Sequence, residues 1–348
     1  MMKRIIHSLC LFIICQVSVL QLIANDSEGS GHTVGISVGP SFALTDLGGA
    51  NKIGAPFIRD IDFKATRYTV SAFYRYNVNK WFSVRANLMY GMLKADDNNT
   101  DGTPPGPDGP TASWYRARRN LNFETHLVEF QAIGEVNLKK YIYDEGKGSK
   151  ERWAPYIGGG LGFFWFNSYT KLDGAKVKLK PLGTEGQYIR NATNGYAKPY
   201  KNFNFDLIAV VGIKYNINQK FSIAVEGMYH QTFTDYLDDV SGNYINPQDV
   251  PLLSTTAQIL QNRANAGRYP SDDFNFVEGQ KGSNPSQQTY GLLLPSGTGQ
   301  QRGDKKDNDQ FLHLQVTFTF NIIRGDKLGF GSCGRRNPYH HKFSCPKW

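Results

Sequence analysis

Leu312-His313-Leu314-Gln315-Val316-Thr317-Phe318-Thr319-Phe320-Asn321 alternates without a break. Its even positions are apolar and its odd positions are polar but uncharged, up to Asn321. A period of two places successive side chains on opposite faces of an extended strand. This strand therefore has one greasy face and one wet face.

The same rule, carried back along the chain, finds seven more segments. Val34, Ile36, Val38 and Phe42 alternate with Thr33, Gly35, Ser37 and Ser41. Tyr68, Val70, Ala72, Tyr74 and Tyr76 alternate with Arg67, Thr69, Ser71 and Arg75. Phe82, Val84, Ala86, Leu88 and Tyr90 alternate with Ser83, Arg85 and Asn87. In the fourth, Val128, Phe130 and Ala132 oppose Glu129 and Gln131, but Phe123 and Leu127 have the wrong parity, and a bulge near Leu127 is expected. In the fifth, Ile157, Leu161, Phe163 and Trp165 face out and Gly158, Gly160 and Gly162 face in, where glycines make room for bulky inward neighbours. The sixth sets Phe203, Phe205, Leu207, Val211 and Ile213 against Asn204, Asp206, Gly212 and Lys214. The seventh sets Phe221, Ile223, Val225 and Tyr229 against Ser222, Ala224, Glu226 and His230.

The linkers alternate in length. Asn77–Lys80 and Asn216–Lys220 are tight and Lys139–Glu151 is moderate, whereas Thr45–Lys64, Asp96–Arg118, Ser168–Lys201 and Leu237–Asp309 are long. Short turns on one side, long loops on the other and aromatics near strand ends predict an all-β fold. Its form is an eight-stranded antiparallel transmembrane β-barrel with long extracellular loops and a periplasmic C-terminal tail. The Leu237–Asp309 loop, rich in Gln, Asn, Pro, Gly and Ser, is expected to be mobile. Tyr76-Asn77-Val78-Asn79 with Phe82-Ser83-Val84 is repeated as Tyr215-Asn216-Ile217-Asn218 with Phe221-Ser222-Ile223, two hairpins built alike.

Composition agrees. Aromatics make up 13% of the 348 residues and glycines number 36, while charged residues reach 20%, which excludes a bundle of membrane helices. Residues 1–24 read as a signal peptide: Lys3 and Arg4 precede the apolar run from Leu9, and Ala24 offers a cleavage point. Ile14 before Cys15 argues against lipidation. The barrel then covers 25–323 and a basic tail 324–348, with both mature termini in the periplasm of a bacterial outer membrane. The net charge of +9 does not point to nucleic acid in an exported chain.

Parity sends Arg75, Arg85, Glu129, Glu135, Asp206, Lys214 and Glu226 into an interior just wide enough for side chains, where opposite charges pair. A filled lumen implies neither pore nor enzyme. The catalytic candidates, His126 and His230 as bases with Ser113 and Thr232 as nucleophiles, lack a surrounding signature. No cofactor is expected. The tail holds Arg324, Lys327, Arg335, Arg336, Lys342 and Lys347 against Asp326, a balance suited to an acidic partner. It also holds Cys333, His340, His341 and Cys345, whose spacing fits no common zinc module. No metal site is expected there, and an intrachain disulfide and a bond from one cysteine to a partner both stay open.

Phe73-Tyr74-Arg75-Tyr76-Asn77, Arg119-Asn120-Leu121-Asn122-Phe123 leading to Glu129 and Glu135, and Trp153-Ala154-Pro155-Tyr156-Ile157-Gly158 come in an order that resembles the PorG-like outer-membrane barrels of Bacteroidota. The ending Ser344-Cys345-Pro346-Lys347-Trp348 is similar to that family's Cys-Pro-Lys-aromatic terminus. The resemblance implies a part in type IX protein secretion, in which the barrel contacts a periplasmic ring of PorK and PorN. The periplasmic turns and the tail are the contacts it implies, in the tail Arg335, Arg336, Lys342, Cys333, Cys345 and Lys347. Outer-membrane lipids are the other expected partner. The rival is a structural or adhesion barrel acting through its long loops.

Overall fold

Strands that are apolar on one face and polar on the other must bury one of them, and in lipid every backbone N–H and C=O must also be paired. Closing the sheet on itself meets both demands. The computed structural model describes residues 31–47, 61–79, 81–100, 116–117, 119–139, 152–190, 195–218, 220–263 and 302–322. The strands are β1 (Gly31–Leu44), β2 (Arg67–Asn77), β3 (Phe82–Asp96), β4 (Asn122–Asn137), β5 (Trp153–Leu172), β6 (Ala175–Lys178), β7 (Phe203–Asn216), β8 (Phe221–Thr232) and β9 (Gln310–Ile322). Neighbours run β4-β3-β2-β1-β9-β8-β7-β5, and β4 pairs with β5 to shut the ring. Every pairing is antiparallel. The eight barrel strands are those read from the alternation. β6 is an addition: β5 runs on through Ser168, where a loop is expected, to Leu172, and β6 folds back against it. Asp173 and Gly174 make that two-residue turn, both at positive φ (49° and 81°), as a tight hairpin requires.

One end of the barrel carries short turns. In the β2–β3 turn, Asn79 Oδ1 accepts from the backbone N–H groups of Trp81 and Phe82, both at 2.8 Å. In the β7–β8 turn, Asn218 Oδ1 accepts from Lys220 (2.9 Å) and Phe221 (2.8 Å). The repeated sequence thus builds the same side-chain-locked turn twice.

Around the middle of the barrel the outward face is apolar. Ile36, Leu88, Phe130, Leu161, Val211 and Val225 are all exposed, Ile36 and Val211 by 62%. So continuous an apolar surface belongs against lipid. Trp81, Trp153 and Tyr215 mark its rim at the turn end, with the Trp153 and Tyr215 rings 4.6 Å apart. Trp165, Phe203 and Phe205 mark the rim at the loop end. None of the helices among the described residues is long and apolar enough to cross a membrane; the strands cross instead.

Above the loop-end rim the barrel turns inside out. Outward positions become polar in Lys94, Asp96, Glu124 and His126, and inward positions become apolar in Leu93, Phe123, Leu127, Phe164 and Phe166. Water replaces lipid outside at this height, so the apolar face belongs within. This accounts for the parity of Phe123 and Leu127. No bulge is present: β3 and β4 keep one register from Phe82↔Val136 to Asp96↔Asn122. Phe42 is outward by parity yet only 6% exposed, because Phe63 from the β1–β2 connection covers it edge-on at 5.8 Å.

The loops close over this apolar mouth. Leu47, Leu179, Leu237, Val240 and Leu260 pack onto Leu93, Phe123, Leu127, Phe164, Phe166 and Phe311 as one core. Leu260 comes from a short helix, α1 (Thr255–Gln261), capped by the Ser254 hydroxyl accepting from Ala257 N–H. The described parts of the last long loop, 237–263 and 302–309, are therefore folded onto the barrel. The expected signal peptide, the tail, Ser113 and the six tail contacts lie outside the described residues.

Candidate functional site

The lumen holds two groups of charged side chains at different heights. The group nearer the turns brings together five of the seven residues that parity sends inward. Glu135 lies 3.0 Å from Arg75 Nε, 3.1 Å from Arg85 Nε and 2.9 Å from Lys214 Nζ. Arg85 Nη1 donates to both oxygens of Glu226, at 2.9 and 3.1 Å. Tyr156 and Thr317 hydroxyls also donate to Glu226, at 2.6 and 2.7 Å. All are buried, and Arg85, Glu135 and Tyr156 are wholly so. Phe73 carries Arg75 and Arg85 over its ring, at 4.9 and 5.2 Å to the centroid. Three cations against two anions fill the cross-section, and polar pairs such as Asn87 to Gln131 (2.7 Å) and Gln315 to Thr69 (3.0 Å) fill the next.

Such packing needs gaps opposite its largest members. A Cβ on Gly212 would lie 2.6 Å from the Tyr156 hydroxyl, so the bare backbone of β7 is what admits that ring. Ile133, Ile208, Val210 and Met228 then surround Tyr156 with apolar contacts.

The other two predicted lumen residues, Glu129 and Asp206, stand apart from this network and meet His230. His230 Nδ1 lies 2.5 Å from Asp206 Oδ2 and 3.4 Å from Glu129 Oε1. All three are fully buried. The His230 ring stacks on Phe311, with centroids 4.1 Å apart, and His313 follows at 4.9 Å. His230 is inward by parity, but its partners sit on β4 and β7, and no spacing in the sequence points to them.

Of the four hydroxyl and imidazole candidates, the three among the described residues, Thr232, His126 and His230, bond to other partners rather than to one another. Thr232 Oγ1 donates to the carbonyl oxygens of Asp309 (2.6 Å) and Thr234 (2.9 Å), fixing the start of a loop. His126 lies on the outward face of β4, against the Tyr90 hydroxyl (2.6 Å) and Glu124 (3.2 Å).

The loop cap is rich in buried carboxylates. Arg119 grips Asp97 with two bonds (2.8 and 2.9 Å) and donates to the backbone carbonyls of Asp46 and Arg302. Arg302 holds Glu185 at 3.0 Å. Asp238 and Asp309 spend oxygens on the N–H groups of Leu47, Val240 and Leu237. Burial pushes the Asp235 carboxyl up to about 8, with Asp46 and Glu185 adding like-charge repulsion. Burial also raises Asp46 and Asp239 to about 6, and carries Asp238 and Asp309 well above the usual range.

Residues 9–250 match a family model described as a domain of unknown function, DUF6089. The chain belongs to the DUF6089 family. No curated protein matches it. Among solved structures, this DUF6089 chain is similar to Neisserial surface protein A, with 9% identity over 85% of this chain and 100% of that one and a TM-score of 0.34. It is also similar to the attachment invasion locus protein Ail of Yersinia pestis in complex with sucrose octasulfate, with 8% identity, coverage of 84% and 99%, and a TM-score of 0.33. OprG of Pseudomonas aeruginosa gives 10% identity, coverage of 85% and 98%, and a TM-score of 0.32. The DUF6089 chain carries the outer-membrane type of barrel on its own evidence: a closed ring, an apolar belt and an aromatic rim at each edge.

Proposed function

We propose that this protein is a non-catalytic, non-conducting anchor of the bacterial outer membrane, and that it ties the periplasmic PorK/PorN ring of type IX secretion to that membrane. The observation that carries the anchor reading is the sealed lumen. Arg75, Arg85, Lys214, Glu135, Glu226 and Tyr156 close its cross-section with direct contacts of 2.6–3.1 Å. A barrel whose interior is occupied in this way acts by what it holds at its two ends. The short-turn end is periplasmic by the usual asymmetry of such barrels, and the first and last described strand ends, Gly31 of β1 and Ile322 of β9, lie beside it. The ring as partner comes from the PorG-like order of motifs, and the tail residues Arg335, Arg336, Lys342, Lys347, Cys333 and Cys345 are its proposed contacts.

The test is a pull-down of tagged protein from detergent-solubilised outer membranes, run with and without reductant. Recovery of a periplasmic ring lipoprotein supports the reading, and a band released by reductant places a tail cysteine at the joint. A lone barrel in both lanes sinks it.

A second reading, a surface-binding barrel, is favoured by the cap. A loop cluster with its own core around Leu237 and Leu260 presents a shaped surface. Loss of surface binding with normal secretion after deletion of 248–300 would favour it.

A further inference from the structure

The geometry points to a metal site inside the barrel: Glu129, Asp206 and His230 bind one divalent transition-metal ion, of the Zn2+ class, over Gly162. This goes beyond charge pairing, and it stands whether or not the barrel anchors a secretion ring.

The donor set comes first. Two carboxylates and an imidazole place ligand atoms within 4.8 Å of one another, all fully buried. An ion with tetrahedral bonds of about 2.0–2.2 Å holds its donors about 3.4 Å apart, so the 2.5 Å contact between His230 and Asp206 opens by about an ångström to admit it and the widest pair closes by about as much. Imidazole with carboxylate suits zinc and its neighbours, whereas all-oxygen sets suit calcium and magnesium.

The second observation is unspent bonding capacity. Neither oxygen of Glu129 has a hydrogen-bond partner, nor does Asp206 Oδ1, nor His230 Nε2. Buried carboxylate oxygens without partners are costly and rare. Three strands have carried them to one spot, since Glu129 is on β4, Asp206 on β7 and His230 on β8, with β5 between the first two.

The third is the floor of the site. Gly162 on β5 faces Asp206 directly across the sheet. A Cβ there would lie 2.0 Å from Asp206 Oδ1 and 2.2 Å from Glu129 Oε1. The missing side chain is the room in which the two carboxylates meet.

Charge agrees. The lumen's arginines and its lysine converge on Glu135 and Glu226 at the other height. Two carboxylates with a neutral imidazole carry a formal charge of −2, which one divalent cation cancels. An imidazolium cancels half of it: its Nδ1 lies against Asp206 at 2.5 Å and leaves Glu129 the longer contact of 3.4 Å. His313, with neither ring nitrogen hydrogen-bonded, is the neighbour from which a fourth donor would come. Such an ion would join β4 to β7 and β8 across the barrel, as a staple.

The test must exclude the tail, which carries zinc-type ligands of its own. The full chain with Cys333→Ser, Cys345→Ser, His340→Gln and His341→Gln, and without a polyhistidine tag, is extracted in detergent and refolded with Zn2+ or Co2+. The metal is then measured by elemental analysis and, for cobalt, by its visible absorption. About one ion per folded chain is expected, resistant to washing. His230→Gln, Asp206→Asn and Glu129→Gln, checked for folding by heat-modifiable gel migration, should each weaken retention at least about tenfold. Absence of bound metal in the folded parent overturns the proposal. So does retention unchanged by His230→Gln and Glu129→Gln, or metal that disappears with the tail substitutions alone. The parent measurement decides the matter even if every lumen variant misfolds.

Discussion

Arg85→Met removes the cation at the centre of the sealed lumen while keeping most of its volume. Glu226 then loses its two guanidinium bonds, of 2.9 and 3.1 Å, and keeps only the neutral donors Tyr156 and Thr317. Glu135 is less affected, because Arg75 and Lys214 remain at 3.0 and 2.9 Å. Stranding one buried carboxylate costs about 3–5 kcal/mol. At about 1.4 kcal/mol per factor of ten, the folding equilibrium falls by roughly two to four powers of ten. Adding Glu226→Gln removes the stranded charge and leaves an amide whose oxygen accepts from one of the two hydroxyls and whose NH2 donates to the oxygen of the other. The double variant should return to within about 2 kcal/mol of the parent. Urea unfolding in lipid vesicles, followed by the fluorescence of Trp81, Trp153 and Trp165 at the belt's rims, measures both. A loss below about 1 kcal/mol in the single variant, the size of a surface pair, would refute the reasoning. A double variant no more stable than the single one would do the same.

Other outcomes follow from smaller features. Gly212→Ala drives a methyl to 2.6 Å from the Tyr156 hydroxyl and should cost about 1–3 kcal/mol in the same urea experiment. Asn79→Ala and Asn218→Ala each strip the acceptor from two turn N–H groups, so each should lose about 1–2 kcal/mol, and the two losses should add because the hairpins are separate. In the cap, Asp46 and Asp239 (about 6) and Asp235 (about 8) have folded values above the usual carboxylate range of about 3.9. Between these limits the folded cap holds more protons than the open one. Its stability is therefore full below about pH 4 and is lost as pH rises through 6 to 8. Amide exchange at Leu237 and Val240 should accelerate from pH 5 to pH 8.5 beyond the intrinsic base-catalysed increase, and protection constant with pH would contradict this.

The barrel was legible because its strands are amphipathic with an unbroken period. Leu312 to Asn321 has a single possible face for lipid, and the tight Asn-containing turns set the spacing of its neighbours. The inward placement of Arg75 and Arg85 follows from the same parity. What parity does not carry is the nature of the surroundings. Phe123 and Leu127 keep the same register as Glu129, but the solvent outside changes from lipid to water along β4, and the preferred interior changes with it. A period-two pattern that reverses polarity looks like a slipped register. Nor does parity give partners. His230 meets Glu129 and Asp206 only once β4, β7 and β8 are bent into a ring, and the chain between Glu129 and His230 holds no spacing that announces it. Gly162 was readable as a gap; what fills the gap was not.

β5 is 20 residues long, and Trp165 marks the edge of its apolar belt. The seven residues beyond, at about 3.4 Å each and tilted about 40°, lift the strand roughly 20 Å clear of the bilayer. With β6 folded against it and the loop core wedged into the open mouth, this extension works as a pedestal. A partner docking on top would meet a platform of fixed height and heading, and its recognition would give up little conformational freedom.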